Sequence, residues 1–286
     1  MKRLFSDFKN NKEEFSHLLY ANSGVKNELR FWKDSDDEHR FNNLPGNSHR
    51  KIFWKDKTLE YRYNNYGFRT DDDFNSKDEG IITLGCSFTE GIGLPIEYNW
   101  GYRLAKYLNL KHWNLGQGAK GLDTAFRLLL GYGDMLKFKK VFLFVPPFYR
   151  NELIIEDNKI IRPFLSKEEN RDMIHTLGPS NGDLIFLNLK EEYDEFLKSI
   201  YFGSEMNEVI RMVRGLAAIK GLCEFLGVDF YYLTFSSHFN KESNLLAEKI
   251  PDSKCPHIPA RDIHWSSKKQ YLIYQNFIEK YGIDNW

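Results

Sequence analysis

The chain has few of the features that mark secreted, membrane-spanning or nucleic-acid-binding proteins. Its three cysteines, Cys86, Cys223 and Cys255, are odd in number and far apart, so we expect reduced thiols rather than a disulfide framework. The sequence has no run of about 18 apolar residues, which argues against a membrane span. Charged side chains interrupt any apolar core of a signal peptide in residues 1–20. We therefore expect a cytoplasmic protein without a membrane partner.

An excess of charge of either sign is also absent. The 286 residues include 40 basic and 40 acidic side chains, so the formal net charge is zero and gives no bulk attraction to nucleic acid. Internal repeats and low-complexity segments are missing as well. What the chain does have is 42% hydrophobic and 16% aromatic residues, which is typical of a globular protein with a buried core.

Strand-like and helix-like segments alternate from about residue 79 onward. Apolar runs predict strands at 80–85, 111–116, 139–146 and 228–235. Amphipathic segments predict helices at 99–110, 122–136, 205–227 and 266–282. This order calls for a parallel sheet with right-handed crossovers. The predicted fold class is α/β, an open three-layer α/β/α sheet of the flavodoxin-like type.

Two regions stand apart from this alternation. Residues 1–78 are polar and predict a small N-terminal extension packed on the core, with a helix near 9–20 and strand-like aromatics in 59–74. Residues 79–286 form the predicted main domain, interrupted by an irregular polar excursion near 150–204. On the long helix, four apolar residues are expected to pack in the core: Val209, Val213, Leu216 and Leu222.

Candidate catalytic residues lie where functional groups gather in open parallel sheets, beyond the carboxyl ends of the strands. Ser87 follows the first predicted strand in "GCSFT", where Thr89 replaces the second glycine of the G-x-S-x-G elbow. The best base for a serine nucleophile is His264, just before the last helix. Asp262, two residues earlier, is placed to orient the imidazole.

Four segments together resemble the SGNH (GDSL-like) hydrolase family. "GCSFTEGIGL" is similar to the family's first block, "NLGQGAKGLDTAFRLL" to its second and "ARDIHWSSKKQ" to its last. "NNYGFR" at 64–69 resembles a lead-in found in many members. The resemblance covers roughly residues 60–286 and leaves the excursion unmatched.

The resemblance implies a serine esterase. Ser87 would be the nucleophile, His264 the general base and Asp262 its orienting acid. The oxyanion would accept hydrogen bonds from the backbone N–H groups of Ser87 and of Gly118 or Ala119. The implied substrate is a small acyl ester, such as an O-acetyl group, on a small molecule or a glycan. The resemblance implies no metal or other cofactor.

The sequence departs from the family pattern at three places. Cys86 replaces the usual Asp of the first block, and Asp262 lies two rather than three residues before His264, so that Asp252 is an alternative acid. The third block lacks its Asn, and "VPPFYRN" offers Asn151, or its neighbour Arg150, as a replacement donor.

These departures leave other functions open. The same constellation can transfer an acyl group to an acceptor other than water. A catalytically silent module is another alternative, with aromatics between 53 and 68 as a glycan or protein surface.

Four other interpretations compete with the catalytic one and are disfavoured. "GQGAKG" at 116–121 matches G-x-G-x-x-G, but it follows the second strand and no acidic residue ends the next one. Ser87 as a plain turn serine, Cys86 as nucleophile, and a metal site at Cys255, His257 and His264 are the other three.

Overall fold

The structure of the protein is a computed structural model, which describes part of the chain. The described residues are 26–33, 36–70, 73–74, 77–118, 120–147, 150, 153–155, 159–161, 205–234, 248–262 and 264–283. The predicted helix near 9–20 lies outside them.

The described residues form eight strands and seven α-helices. The strands are β1 (Glu28–Arg30), β2 (Tyr61–Tyr63), β3 (Glu79–Leu84), β4 (Lys111–Asn114), β5 (Lys137–Val145), β6 (Leu153–Ile155), β7 (Lys159–Ile161) and β8 (Asp229–Thr234). The helices are α1 (Glu38–Asn42), α2 (His49–Trp54), α3 (Ser87–Glu90), α4 (Trp100–Tyr107), α5 (Leu122–Tyr132), α6 (Glu205–Leu226) and α7 (Ser267–Tyr281). A 3₁₀ turn at Ile96–Tyr98 precedes α4.

Four parallel strands form the central sheet, in the order β4-β3-β5-β8. Ile82 of β3 lies opposite Val141 of β5, which lies opposite Phe230 of β8. The inner strands are apolar because both of their faces are covered. The predicted α/β class with a parallel sheet is confirmed.

Helices pack on both faces of the sheet because successive strand side chains point to opposite sides. Ile82 and Leu143 belong to one buried cluster with residues of α5 and α6. Ile81 and Phe142 belong to another with residues of α4 and α7. The sheet therefore lies between two helical layers, an arrangement compatible with the three-layer prediction.

The N-terminal segment packs on the main core through buried aromatic side chains. β1 and β2 pair antiparallel, and a cluster around Trp54, Tyr61 and Tyr63 includes Ile92 from the loop after α3. Phe68 joins the main core itself. Of the aromatics considered as a binding surface for a silent module, these four are buried, whereas Phe53 and Tyr66 are partly buried.

Two sequence expectations need correction. Val209 and Val213 of α6 are 43% and 56% exposed, so they do not pack in the core, whereas Leu222 does. The excursion is not wholly irregular, because Leu153–Ile155 and Lys159–Ile161 form an antiparallel hairpin. No helix among the described residues has both the length and the apolar character to cross a membrane.

Candidate active site

Ser87 lies where the first strand of the sheet turns into a short helix. The turn depends on Gly85, which has a φ of 150°, and a Cβ there would collide with the Thr89 side chain and the Phe144 carbonyl oxygen. Ser87 is 9% exposed, and its hydroxyl and N–H form no hydrogen bond with another described residue. Both groups therefore remain available to a bound molecule.

His264 and Asp262 form a close pair two residues apart. The ring Nδ1 of His264 lies 2.6 Å from Asp262 Oδ2, and the His264 backbone N–H donates to Asp262 Oδ1 at 2.9 Å. An ionised carboxylate can only accept, so it favours the tautomer with the proton on Nδ1. In that tautomer the lone pair that a general base needs is on Nε2.

The ring of Phe88 connects this pair to the start of α3. Phe88 directly follows Ser87, and its ring centroid lies 5.2 Å from that of His264 and 4.5 Å from that of Trp265. The imidazole thus packs edge-to-face against the residue next to the candidate nucleophile. The Ser87 hydroxyl does not hydrogen-bond to His264 in this conformation, and such bonds are often long in unliganded enzymes.

The loop after α3 approaches Asp262 closely at Gly93. The Arg261 N–H donates to the Gly93 carbonyl oxygen at 2.8 Å. Gly93 has a φ of 82°, and a Cβ on it would collide with Asp262 Oδ1. A glycine is therefore required where this loop supports the acid of the pair.

Glu90 occupies the predicted oxyanion donor at Gly118. The buried Glu90 carboxylate accepts the Gly118 N–H at 2.5 Å through Oε2 and the Tyr63 hydroxyl at 2.9 Å through Oε1. Gly118 is thus engaged by a protein acceptor in this conformation. Sequence reasoning missed Glu90, although its position three residues after Ser87 puts it one turn along the same short helix.

The rest of this loop leaves one described N–H unused. The N–H groups of Gly116, Gln117 and Lys120 donate within the protein, at 3.0, 3.1 and 3.3 Å. Gly121 is buried, and its N–H has no acceptor among the described residues. Gly121 is therefore a further candidate donor that the sequence did not single out.

Two predicted oxyanion residues, Ala119 and Asn151, lie outside the described residues. Arg150, the other replacement considered for the third block, is described. Its carbonyl group lies so close to Gly121 that a Cβ there would collide with it. The loop after β5 therefore meets the loop after β4 at this point.

The alternative assignments find little support in the geometry. Asp252 pairs with Lys268 Nζ at 2.6 Å, and its side chain is 74% exposed. Cys86 is buried, as a small core side chain would be. Within the described part of the chain, no three His, Cys, Asp or Glu side chains are grouped to hold a metal.

Packing accounts for the first glycine of "GQGAKG". A Cβ on Gly116 would collide with Thr89 of α3, and β4 is one of the two edge strands of the central sheet. β4 is the second strand of that sheet in chain order, whereas a dinucleotide fingerprint follows the first strand of its unit. The position of "GQGAKG" therefore argues against dinucleotide binding.

Comparison of the sequence with protein-family models and with curated proteins gave no match.

Proposed function

We propose that this protein is a serine esterase of the SGNH type, with Ser87 as nucleophile, His264 as general base and Asp262 as the acid that orients it. One observation carries the proposal. The Asp262–His264 pair, with 2.6 Å between the ring nitrogen and the carboxylate oxygen, packs against Phe88, the residue that follows Ser87.

The reaction would proceed in two steps through an acyl-enzyme. His264 Nε2 removes the Ser87 hydroxyl proton as Oγ attacks the ester carbonyl, and the imidazolium then gives that proton to the leaving alcohol. Asp262 stabilises the imidazolium while Nδ1–H remains directed at it. His264 then deprotonates a water molecule that attacks the acyl carbon. The bond to Ser87 Oγ breaks, the imidazolium returns its proton to Oγ, and the acid is released.

The tetrahedral oxyanion needs donors placed before the reaction begins. The Ser87 N–H is one, since no described residue accepts it. The loop after β4 supplies a second from Gly118, Ala119 or Gly121. Gly118 can serve only if its N–H turns away from Glu90, whereas the Gly121 N–H has no acceptor among the described residues.

The proposed substrate is a small acyl ester, an O-acetyl group on a carbohydrate being the favoured example. This choice follows from the family resemblance of the motifs around Ser87 and His264.

Hydrolysis of p-nitrophenyl acetate by the wild type and by Ser87→Ala tests the proposal. We expect turnover to fall by roughly 10³-fold or more in Ser87→Ala, since the covalent step is lost. Intact-mass analysis should also detect a fluorophosphonate adduct on the wild type alone. Ser48→Ala is a matched control, because Ser48 precedes α2 without a side-chain capping bond. Absence of both adduct and serine-dependent turnover would refute the esterase.

A catalytically silent binding module is the second candidate. The engagement of Gly118 by Glu90 and the missing Ser87–His264 hydrogen bond favour it. The same experiment separates the two, because a silent module gives no adduct and Ser87→Ala leaves its properties unchanged.

A further inference from the structure

A buried ion pair joins the N-terminal segment to the residue before Asp262. Arg261 Nε lies 2.8 and 3.0 Å from the two carboxylate oxygens of Asp36, and Nη2 lies 2.6 Å from Oδ2. The two side chains are 4% and 0% exposed. A guanidinium held by both oxygens of one carboxylate has a fixed position and orientation.

Other N-terminal groups complete the surroundings of this guanidinium. Trp32 stacks on it, with Arg261 Cζ 3.7 Å from the ring centroid. The Phe31 carbonyl oxygen accepts a hydrogen bond from Nη2. Arg261 is therefore enclosed by residues more than 220 positions earlier in the chain.

A second connection runs from Asp36 to the loop beneath Asp262. The Tyr61 hydroxyl donates to Asp36 and accepts the Gly93 N–H at 2.9 Å. Burial, reinforced by the charge of Asp36, raises the pKa of Tyr61 well above its ordinary value, so the phenol stays protonated. Asp36 is thus connected to Asp262 in two ways. One runs through Arg261, the neighbour of Asp262 in the chain, and the other runs through Tyr61 to Gly93, which lies against Asp262.

Stability alone is a weak reason for such a pair. Desolvation offsets much of the attraction between two buried charges, and apolar side chains of equal volume often stabilise a protein as well. Apolar residues could not fix the direction of the backbone at Arg261 as this pair does. Arg261 immediately precedes Asp262, the acid that pairs with His264.

We propose that Asp36 and Arg261 are positioning residues for the Asp262–His264 pair, so that the N-terminal segment takes part in building the active site. This inference rests on the proposed function. Neither residue is expected to touch the substrate, and each acts through the placement of Asp262.

Kinetics of conservative variants provide the first test. In Asp36→Asn and Arg261→Lys, kcat for p-nitrophenyl acetate should fall by up to roughly 10²-fold, the effect of a misplaced catalytic group, while KM stays unchanged. Tyr61→Phe removes only the hydroxyl of the second connection and should lower kcat less. The double variant Asp36→Asn/Arg261→Lys should be no slower than the worse single variant, because the two residues act as a unit.

Leu128→Ala is the control for a general loss of stability. Leu128 is buried in the cluster on the opposite face of the sheet from α7. It should lower the melting temperature without lowering kcat at temperatures where the variant is folded. If it lowers kcat as much as Asp36→Asn does, the proposed positioning role is wrong.

A spectroscopic readout separates this inference from the esterase proposal. The Nδ1 proton of His264 should give a low-field proton NMR signal, identified by its loss in His264→Gln. In folded Asp36→Asn and Arg261→Lys this signal should shift or broaden, whether or not the protein turns over ester. An unchanged signal in both variants would overturn the positioning role, whereas failure of the esterase would appear as a missing serine adduct in the wild type.

Discussion

At the scale of single residues, Asp262 makes an unusual double use of its carboxylate. One oxygen accepts the backbone N–H of His264 and the other faces the imidazole Nδ1, so a spacing of two residues is sufficient to close a local ring. The acid and the imidazole are therefore paired within a short stretch of chain. The acid therefore loses little side-chain entropy when the imidazole binds it.

Asp262→Asn tests the acid directly. The amide would direct either an N–H at Nδ1, which favours the tautomer with Nε2 protonated, or its oxygen, which stabilises the imidazolium less than a carboxylate does. We expect kcat/KM to fall by about 10⁴-fold, as for the equivalent change in other triads, with the fold intact by circular dichroism.

Asp252→Asn is the matched control for that measurement. Asp252 lies on the same stretch of chain but pairs with Lys268 at the surface. Its rate of ester hydrolysis should equal that of the wild type. An equal loss in both variants would show that the acid has been misassigned.

His112 provides a prediction about pH. It is buried on β4, with Nε2 2.8 Å from Thr83 Oγ1, and burial lowers its pKa to about 3. Below the pKa of an unfolded histidine, about 6.5, the unfolded chain binds a proton at this residue and the folded chain does not. The free energy of unfolding should therefore decrease as pH falls, with this residue contributing up to roughly 1.4 kcal/mol per pH unit.

Urea unfolding at several pH values between about 6.5 and 4 measures this slope. His112→Gln keeps a hydrogen-bonding side chain but cannot titrate, so its slope should be smaller by that amount. Identical slopes in the two proteins would mean that His112 is protonated in the folded state.

At the scale of elements, the loop between α3 and α4 determines where the acid lies. Gly93→Ala would place a methyl group against Asp262 Oδ1 in a left-handed backbone conformation. We expect a loss of roughly 1–3 kcal/mol in the free energy of unfolding, together with a lower kcat. Denaturant titration and esterase kinetics measure the two effects.

Gly221→Ala is the matched glycine control. Gly221 lies inside α6 with open space around it, so alanine should raise the free energy of unfolding by about 0.5–1 kcal/mol and leave kcat unchanged. A lower kcat in this variant would mean that the effect of Gly93→Ala does not report on Asp262.

Sequence periodicity predicted the long elements well and the short ones poorly. All four strands of the central sheet and the four long helices overlap their predicted ranges. The strands are apolar runs, and the helices repeat their apolar residues over two or more turns, so both patterns can be recognised in the sequence. α1 and α2 were missed because five or six residues are too few to establish a period. Val209 and Val213 fit the helical period and yet are exposed, since a period does not reveal which apolar face is covered.

At the scale of the whole molecule, the predicted parts of the site are those encoded locally. Asp262 and His264 are close in sequence, whereas Asp36 and Arg261 are 225 positions apart. A single sequence contains no signal that pairs such distant residues. The engagement of Gly118 by Glu90 was unpredictable for a related reason, because it depends on how α3 meets the loop after β4.

The shared core predicts that the N-terminal segment unfolds together with the sheet. Phe74 packs edge-on against both Trp113 and Tyr132, and Phe68 contacts Tyr132 at 5.2 Å between ring centroids. Calorimetry should therefore show one cooperative transition, coincident with the loss of near-ultraviolet circular dichroism. Two resolved transitions would instead support a separable domain that ends near residue 78.

The Asp36–Arg261 pair also has a consequence for how the protein is made. A ribosome adding about 5–20 residues per second needs roughly 10–45 s to synthesise the 225 positions between the two partners. During that interval the nascent chain presents Asp36 and Trp32 without the guanidinium that later covers them. The proposed catalytic centre can be completed only after Arg261, Asp262 and His264 have been synthesised, so a truncated chain that ends before Arg261 would leave an acidic, aromatic surface for chaperones to shield.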